Sequence, residues 1–130
     1  MPAVKHNLYI EQGATFKMSF TWNQAATYDP TQPGDPIDLT GYTARMQIRK
    51  NQQSPTQVDA TDANGKIALG GTTGRITVTL SASDTDGLNT RAALYDLEVQ
   101  DSTGVVTRLL QGTVTVDPNI TQTAGQVVPT

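Results

Sequence analysis

The sequence predicts an all-β protein in which two antiparallel sheets stack face to face. Large apolar side chains alternate with polar ones in three stretches, at residues 16–22, 42–48 and 76–80. A period of two puts every second side chain on one face of an extended strand. Strands that are apolar on one face only must cover that face with a second sheet. Seven or eight such strands, separated by turn signals, predict an immunoglobulin-like antiparallel β-sandwich.

The totals describe one small domain with few functional options. The chain has 130 residues, 36% of them hydrophobic, and threonine, which suits the solvated face of a sheet, occurs 21 times. The net charge is −3 and no basic stripe is present, so we expect no nucleic-acid partner. No apolar stretch approaches the ~20 residues of a membrane helix, and the first ten residues lack the apolar core of a signal peptide. The absence of cysteine excludes disulfides and thiolate metal sites.

Residues 1–7 are expected to form an extended N-terminal arm, and the sandwich is expected to span residues 8–118. The first two strands are predicted at Leu8–Ile10 and Ala14–Trp22, with Gly13 as the break between them. Residues 119–130 follow an Asp-Pro pair, are mostly polar, and are expected to form an extended C-terminal arm.

A long polar segment, residues 23–39, separates the second strand from the third. It contains Gly34 and three prolines, at Pro30, Pro33 and Pro36, two of which follow aspartate. These residue types favour irregular backbone. Because loops of this length are uncommon inside compact domains and are usually functional or disordered, we expect a long Pro-rich loop that contacts other molecules.

The later strands follow the same alternation. They are predicted, in chain order, at Tyr42–Arg49, Gln57–Ala60, Lys66–Leu69, Arg75–Leu80, Ala93–Gln100 and Val105–Val116. Asn64-Gly65 favours a tight turn, and residues 101–104 predict a hairpin. Ser83 and Asp84 favour one helical turn within residues 81–89. Gly112, inside the last strand, predicts a bulge or bend.

The residues expected to face the core are those on the apolar side of each strand. They are Phe16, Met18, Phe20, Tyr42, Ala44, Met46, Ile48, Ile76, Val78, Leu80, Tyr95, Leu97, Val99, Leu110, Val114 and Val116. At ~1.5–3 kcal/mol for each large buried side chain, this set is small against the entropy of ordering the chain. We therefore expect the isolated chain to be marginally stable and to gain stability from contacts with neighbouring chains.

Several clusters of polar residues suggest chemistry, and each also has an ordinary structural interpretation. The single histidine, His6, stands in the expected arm without partners for a catalytic triad or metal site. Segments 59–65 and 84–87 resemble fragments of calcium loops, but they lack the glutamate at the twelfth position and match common turn and cap signatures. Asp96 and Glu98 share one face of a predicted strand, with Arg108 opposite across the hairpin, and this arrangement favours a cross-strand charge pair over a pair of catalytic carboxylates. We therefore predict no enzyme activity and no cofactor.

The predicted contact surface lies around the long loop and the C-terminal arm. Trp22 and Tyr28 are the aromatic residues nearest the loop, and they could anchor a protein partner or stack on a sugar; Trp22 also suits a core position at a strand end. The candidate contact residues are Trp22, Tyr28, Pro30, Pro33, Pro36, Ile120, Val127 and Val128.

Four segments, residues 10–16, 36–49, 95–99 and 106–116, together resemble a known family. They are similar to small structural proteins of tailed bacteriophages, in particular to the immunoglobulin-like N-terminal domain of upper-baseplate proteins. The resemblance spans roughly residues 8–118 and implies a virion component of the tail or baseplate. Because the sequence departs from the baseplate proteins by ending soon after this domain, without a receptor-binding region, we expect an adaptor, decoration or assembly role.

The resemblance and the composition together predict the function and the partners. We expect a virion structural protein, made in the bacterial host cytoplasm, that binds other virion proteins and copies of itself in a symmetric assembly. Backbone pairing at an exposed sheet edge is the expected binding mode, and neither nucleic acid nor membrane is expected as a partner. The alternative is a carbohydrate-binding sandwich for attachment to the host surface, with Trp22 and Tyr28 in its glycan site.

Overall fold

Two β-sheets face each other in the computed structural model, which describes residues 3–24, 34–118 and 120. The strands, in chain order, are β1 (Val4–Lys5), β2 (Leu8–Glu11), β3 (Phe16–Thr21), β4 (Thr43–Arg49), β5 (Thr56–Thr61), β6 (Ile67–Leu69), β7 (Arg75–Leu80), β8 (Ala92–Gln100) and β9 (Val106–Asp117). A 3-10 turn, Gly71–Thr73, precedes β7, and the helix α1 (Ala82–Asp86) follows it. The predicted all-β sandwich is confirmed.

The larger sheet has the strand order β1-β9-β8-β4-β5, with β2 also paired to β9, and the smaller sheet has the order β3-β7-β6. Because β1 and β2 both lie parallel to β9 and are separated by two residues only, they act as one interrupted strand. On that count the described residues form eight strands, within the predicted seven or eight. In immunoglobulin constant domains the first strand sits beside the second, in the four-stranded sheet that also holds the fourth and fifth strands. Here the first strand joins the last one, which leaves β3 at an edge.

The core lies between the sheets and agrees with most of the predicted set. Met46, Ile76 and Leu97 are among its fully buried side chains. Four residues of the predicted set pack against the core as expected but are only half-buried, at its margin: Phe16, Met18, Phe20 and Tyr42. Most of the buried residues outside the predicted set lie on the shorter strands or in connections, and two lie on β8 and β9: Leu8, Ile10, Leu39, Val58, Ala60, Ile67, Leu88, Ala93 and Leu109.

The bulge in the last strand lies at Leu109 and not at Gly112. The register shifts so that Leu97 faces Leu110 while Glu98 faces Arg108, which leaves Leu109 as the extra residue. Gly112 has a different role, because a Cβ atom there would lie 2.5 Å from the His6 carbonyl oxygen. The glycine therefore admits the close approach of the N-terminal segment to β9.

The predicted helical turn is confirmed as α1. Ser81 and Asp84 form a capping box, in which each side chain accepts a hydrogen bond from the other residue's backbone N–H. Thr85, on the buried side of α1, donates its hydroxyl to the Ala14 carbonyl at 2.9 Å and accepts the Gly13 N–H at 3.0 Å. These bonds fix the turn between β2 and β3 and so hold β3 in place.

Part of the expected N-terminal arm lies along the larger sheet. Val4 and Lys5 form β1 and pair with Leu110 and Gln111 of β9. The Tyr95 hydroxyl, on β8, donates a hydrogen bond to the His6 carbonyl. The first strand thereby closes one edge of the larger sheet with both backbone and side-chain bonds.

Candidate functional site

The long loop leaves and rejoins the sandwich through a short antiparallel stem. The Ile37 N–H donates to the Trp22 carbonyl at 2.8 Å, and the Gln24 N–H donates to the Asp35 carbonyl at 2.7 Å. Asn23 and Pro36 face each other between these two bonds as an isolated bridge. The stem brings Gln24 and Asp35 together beyond the end of β3. The sequence predicted the loop but gave no signal for this stem.

Gly74 holds the stem against the smaller sheet. Its carbonyl accepts the Trp22 N–H at 2.9 Å, and its φ of +68° is a conformation that side chains other than glycine rarely adopt. A Cβ atom at this position would lie 2.7 Å from the Trp22 carbonyl oxygen and 3.1 Å from the Ile37 nitrogen. Leu39 adds a second anchor, because its N–H donates to the Gly71 carbonyl at 2.9 Å.

The structure places Trp22 at the margin of the core. It is half-buried, and its ring meets the Tyr42 ring edge-on, with centroids 6.1 Å apart and an interplanar angle of 85°. Pro36 is exposed in the stem, and Ile120 is 97% exposed. The other candidate contact residues lie outside the described part of the chain: Tyr28, Pro30, Pro33, Val127 and Val128.

The strand β3 presents an open backbone edge. Within residues 3–24, 34–118 and 120, β3 pairs with β7 alone, from Phe16 opposite Leu80 to Thr21 opposite Arg75. The N–H of Trp22, the next residue, points to this β7 side. Since alternate residues of a strand direct their N–H and C=O groups to the same side, Lys17, Ser19 and Thr21 direct theirs to the open side.

The apolar face of β3 is also incompletely covered. Phe16, Met18 and Phe20 point toward the core, but each is half-buried, whereas Ile76 and Val78 on the neighbouring strand are fully buried. The difference arises because β7 has a strand on both sides and β3 has one. A strand added beside β3 would therefore complete a hydrogen-bond ladder and cover apolar surface together.

The edge of β5, in contrast, is protected by its own turn. The Asn64 side-chain amide donates to the Asp59 carbonyl at 2.9 Å, and its oxygen accepts the Thr61 N–H at 3.0 Å. One side chain thus occupies the positions that a neighbouring strand would take. Asp62, in the same segment, accepts the Ala44 N–H at 3.0 Å. The side-chain oxygens of Asp62 and Asn64, in the first segment that resembled a calcium loop, thus accept hydrogen bonds from backbone N–H groups.

The second segment that resembled a calcium loop is also engaged in local contacts. Burial alone would raise the pKa of Asp84, but hydrogen bonds from the Lys66 ammonium and from Ser81 more than offset this and lower it. The Lys66 Nζ atom lies 2.7 Å from the carboxylate. Among the described residues, no three histidine, aspartate or glutamate side chains come together as a metal-binding group.

A broad polar groove of about 810 Å³ crosses the outer face of the larger sheet. The predicted cross-strand pair lies in it: the Arg108 Nε atom is 3.4 Å from the Asp96 carboxylate, and both side chains are about half exposed, so the pair adds little stability. Arg49 is held by hydrogen bonds to the Gln47 side chain and the Ser54 carbonyl. The groove is lined by the side-chain amides of Asn7, Gln47, Asn51, Gln52 and Gln111.

His6 contributes to this region through its backbone. Its carbonyl accepts the Tyr95 hydroxyl, and burial raises the pKa of Tyr95 to about 12. A neutral phenol therefore remains at this position across the physiological range, where it holds the first strand against β8 and β9.

The fold defines an immunoglobulin-like β-sandwich protein in which, among the described strands, the edge of β5 is protected and the edge of β3 is open. The family comparison is more specific: residues 2–117 match the LtfC-like, β-sandwich domain, and the chain belongs to this family. No curated protein matches the sequence. The family indicates a phage-associated β-sandwich protein, and this agrees with the resemblance of the four segments to phage structural proteins. In the described part of the chain, no helix has the length and apolar character needed to span a bilayer.

Proposed function

We propose that the chain is a structural component of a bacteriophage particle, in the tail or baseplate or as an adaptor or decoration subunit. It acts through protein–protein contacts during assembly and carries out no catalytic step. Its partners are other virion proteins and copies of itself, and nucleic acid and membrane are not among them. The chain is made in the bacterial cytoplasm and is then incorporated into the virion. The LtfC-like family and the phage-like segments support this proposal.

The observation that carries the proposal is the open edge of β3. The backbone groups of Lys17, Ser19 and Thr21 face outward without a strand partner among the described residues, beside half-buried apolar side chains. Proteins that need only to remain soluble protect such edges, as the Asn64 cap protects β5. An edge of this kind is suited to strand addition by another chain, which supplies main-chain hydrogen bonds and pockets for alternate side chains.

The test asks whether the chain enters particles and whether the edge is needed. Particles are purified by density gradient from host cells that express the chain with either Ser19→Pro or Ser19→Ala, and the bound chain is quantified by mass spectrometry. Proline at Ser19 removes an edge-facing N–H without removing a backbone bond to β7, while alanine keeps this N–H. Both variants lose the hydroxyl bond between Ser19 and Thr77 on β7, so its loss does not distinguish them. We expect wild type and Ser19→Ala in particles and a loss of Ser19→Pro, with circular dichroism showing that all three fold.

Two results would contradict the proposal. One is a wild-type chain that stays in the soluble lysate while particles form normally. The other is equal incorporation of Ser19→Pro and Ser19→Ala, which would show that the β3 edge makes no contact in the particle.

The groove favours a second candidate function, binding of a host-surface glycan. Planar amide and guanidinium groups, such as those of Gln111 and Arg108, are suited to hydrogen bonds with sugar hydroxyls. The half-buried Trp22 ring, packed edge-on against Tyr42, makes a poor stacking platform for a sugar. The candidate glycan site is therefore the groove and not the region of the loop. Calorimetry with host cell-wall polysaccharide tests it: heat of binding that is lost in Arg108→Gln would support the groove, and no heat would exclude it.

A further inference from the structure

We propose that β3 pairs antiparallel with β3 of a second copy of this chain, about a two-fold axis that passes through Ser19. The result is one continuous sheet of six strands in the order β6-β7-β3-β3-β7-β6. This inference rests on the proposed function and deepens it, because it names the partner of the open edge and the register of the pairing.

The backbone geometry suits this arrangement. Lys17, Ser19 and Thr21 direct their N–H and C=O groups to the open side. With the axis at Ser19, the two Ser19 residues face each other, and Lys17 faces the partner's Thr21. All three positions become hydrogen-bonded pairs, which gives a regular antiparallel ladder and leaves no outward backbone group of β3 unpaired.

The side chains on the inner face also match in this register. Met18 comes to lie beside the partner's Phe20, and Phe16 beside the partner's Trp22, so that apolar residues meet apolar residues on both halves. These are the half-buried side chains at the margin of the core. Cross-strand aromatic and apolar pairs contribute to sheet stability, and thioether–aromatic contacts are favourable.

The charge of Lys17 disfavours the registers that bring the two copies of this residue close together. An axis at Lys17 would set the two lysines directly opposite each other, and an axis at Met18 would make them diagonal neighbours at ~7–8 Å. The axis at Ser19 separates them by four residues along the strand, a distance of ~13 Å. On the outer face the opposed residues are then serine with serine and lysine with threonine, which are uncharged or singly charged pairs.

The other edges are less suited to pairing between copies. The Asn64 side chain occupies the edge of β5. The strand β6 has three residues and runs into the turn at Gly70, while β1 and β2 are short and interrupted at residues 6–7. Among the described strands, β3 therefore offers the longest uninterrupted open edge, with six residues.

The contact is small, which sets the conditions for its detection. One pair of six-residue strands buries less than the ~1,200 Å² at the lower end of specific, stable interfaces. We therefore expect a weak dimer in solution that populates at high protein concentration, and a strong one in a particle where further contacts raise the effective concentration.

The test uses cross-linking by single cysteines in the full-length chain, which has no cysteine of its own. In a hydrogen-bonded antiparallel pair the Cα atoms are ~5.5 Å apart, within the range that a disulfide spans. With diamide as oxidant at high protein concentration, Ser19→Cys should shift to twice the monomer mass on a non-reducing gel. Lys17→Cys and Thr21→Cys should each stay monomeric alone and should cross-link when mixed.

The outcomes separate the possible occupants of the edge. Cross-linking of Lys17→Cys with itself, or equal cross-linking of all three variants, would overturn the register. If none of them cross-links but Ser19→Pro is still excluded from particles, the edge binds a different virion protein and this inference fails while the proposed function stands. Slow hydrogen exchange of the Ser19 amide in dilute monomer would show that a segment of the same chain covers the edge, which would also overturn it.

Discussion

Replacement of Gly112 by alanine tests how the first strand is held. A Cβ atom at Gly112 would lie 2.5 Å from the His6 carbonyl oxygen and 3.0 Å from the His6 carbonyl carbon. An ordinary contact begins at 3.4 Å, so the N-terminal segment must move away from β9 by about 1 Å. Backbone atoms cannot rotate out of the way as the end of a flexible side chain can. We therefore expect Gly112→Ala to displace His6 and Asn7 from β9.

The cost follows from the hydrogen bonds that this movement breaks. They are the His6 N–H to the Gln111 carbonyl at 2.9 Å, the Tyr95 hydroxyl to the His6 carbonyl, and the Thr113 N–H to the Asn7 side chain at 3.1 Å. At ~0.5–1.5 kcal/mol net for each of the three bonds, less ~0.4–1 kcal/mol gained from a stiffer unfolded chain, the free energy of unfolding should fall by about 0.5–4 kcal/mol.

Urea unfolding measures this cost, and hydrogen exchange of residues 4–6 localises it. Gly87→Ala is the matched control, because its Cβ atom would lie 3.5 Å from the nearest non-neighbouring atom, an ordinary contact. Tyr95→Phe should cost ~1 kcal/mol in the wild type and almost nothing in Gly112→Ala, where the same bond is already broken. Equal midpoints for Gly112→Ala and Gly87→Ala, or additive effects with Tyr95→Phe, would refute the reasoning.

Three further predictions follow from burial and charge. Leu97→Ala, at a fully buried site, should lower the unfolding free energy by ~2–5 kcal/mol, and Phe20→Ala, at a half-buried site, should cost clearly less in urea melts of dilute protein. Asp84→Asn should lower the unfolding free energy by ~1–2 kcal/mol at pH 7, because the substitution affects the helix cap and the bond to Lys66. Folding lowers the pKa of Asp84, so the stability that this carboxylate contributes is lost as the pH falls below its ordinary pKa. Asp84→Asn should lack this part of the acid destabilisation. Because the pKa of Tyr95 rises to about 12 in the folded chain, its stabilising contribution is intact below pH 10 and is lost between pH 10 and 12; thermal melts of Tyr95→Phe should lack this loss.

The alternation of side chains predicted most of the fold because it reports burial directly. Met46, Ile76 and Leu97 face the core as their period of two requires. The same pattern could not distinguish a central strand from an edge strand. Phe20 therefore resembled a core residue in the sequence, and only the sheet order shows that β3 lacks a neighbour on one side.

The candidate site was less accessible to sequence reasoning, since it depends on contacts between distant segments. The stem of the long loop is held by Gly74, about fifty residues after Trp22, and the approach of His6 to Gly112 spans most of the chain. Both glycines were visible, but a glycine does not reveal which segment approaches it. Of the candidate contact residues, the structure resolved the role of Trp22, which packs beside Tyr42 at the margin of the core.

The contrast between the protected edge of β5 and the open edge of β3 supports a role in assembly. Asn64 shows that this chain can protect an edge with a single side chain, at the cost of one turn residue. On β3 the only comparable feature is Lys17, whose charge disfavours those pairings that would bring two lysines together but leaves the register about Ser19 available. An edge that is unfavourable in some registers and available in others narrows the contacts that it can make. This restriction favours a defined contact over indiscriminate aggregation, as the proposed role in an ordered particle requires.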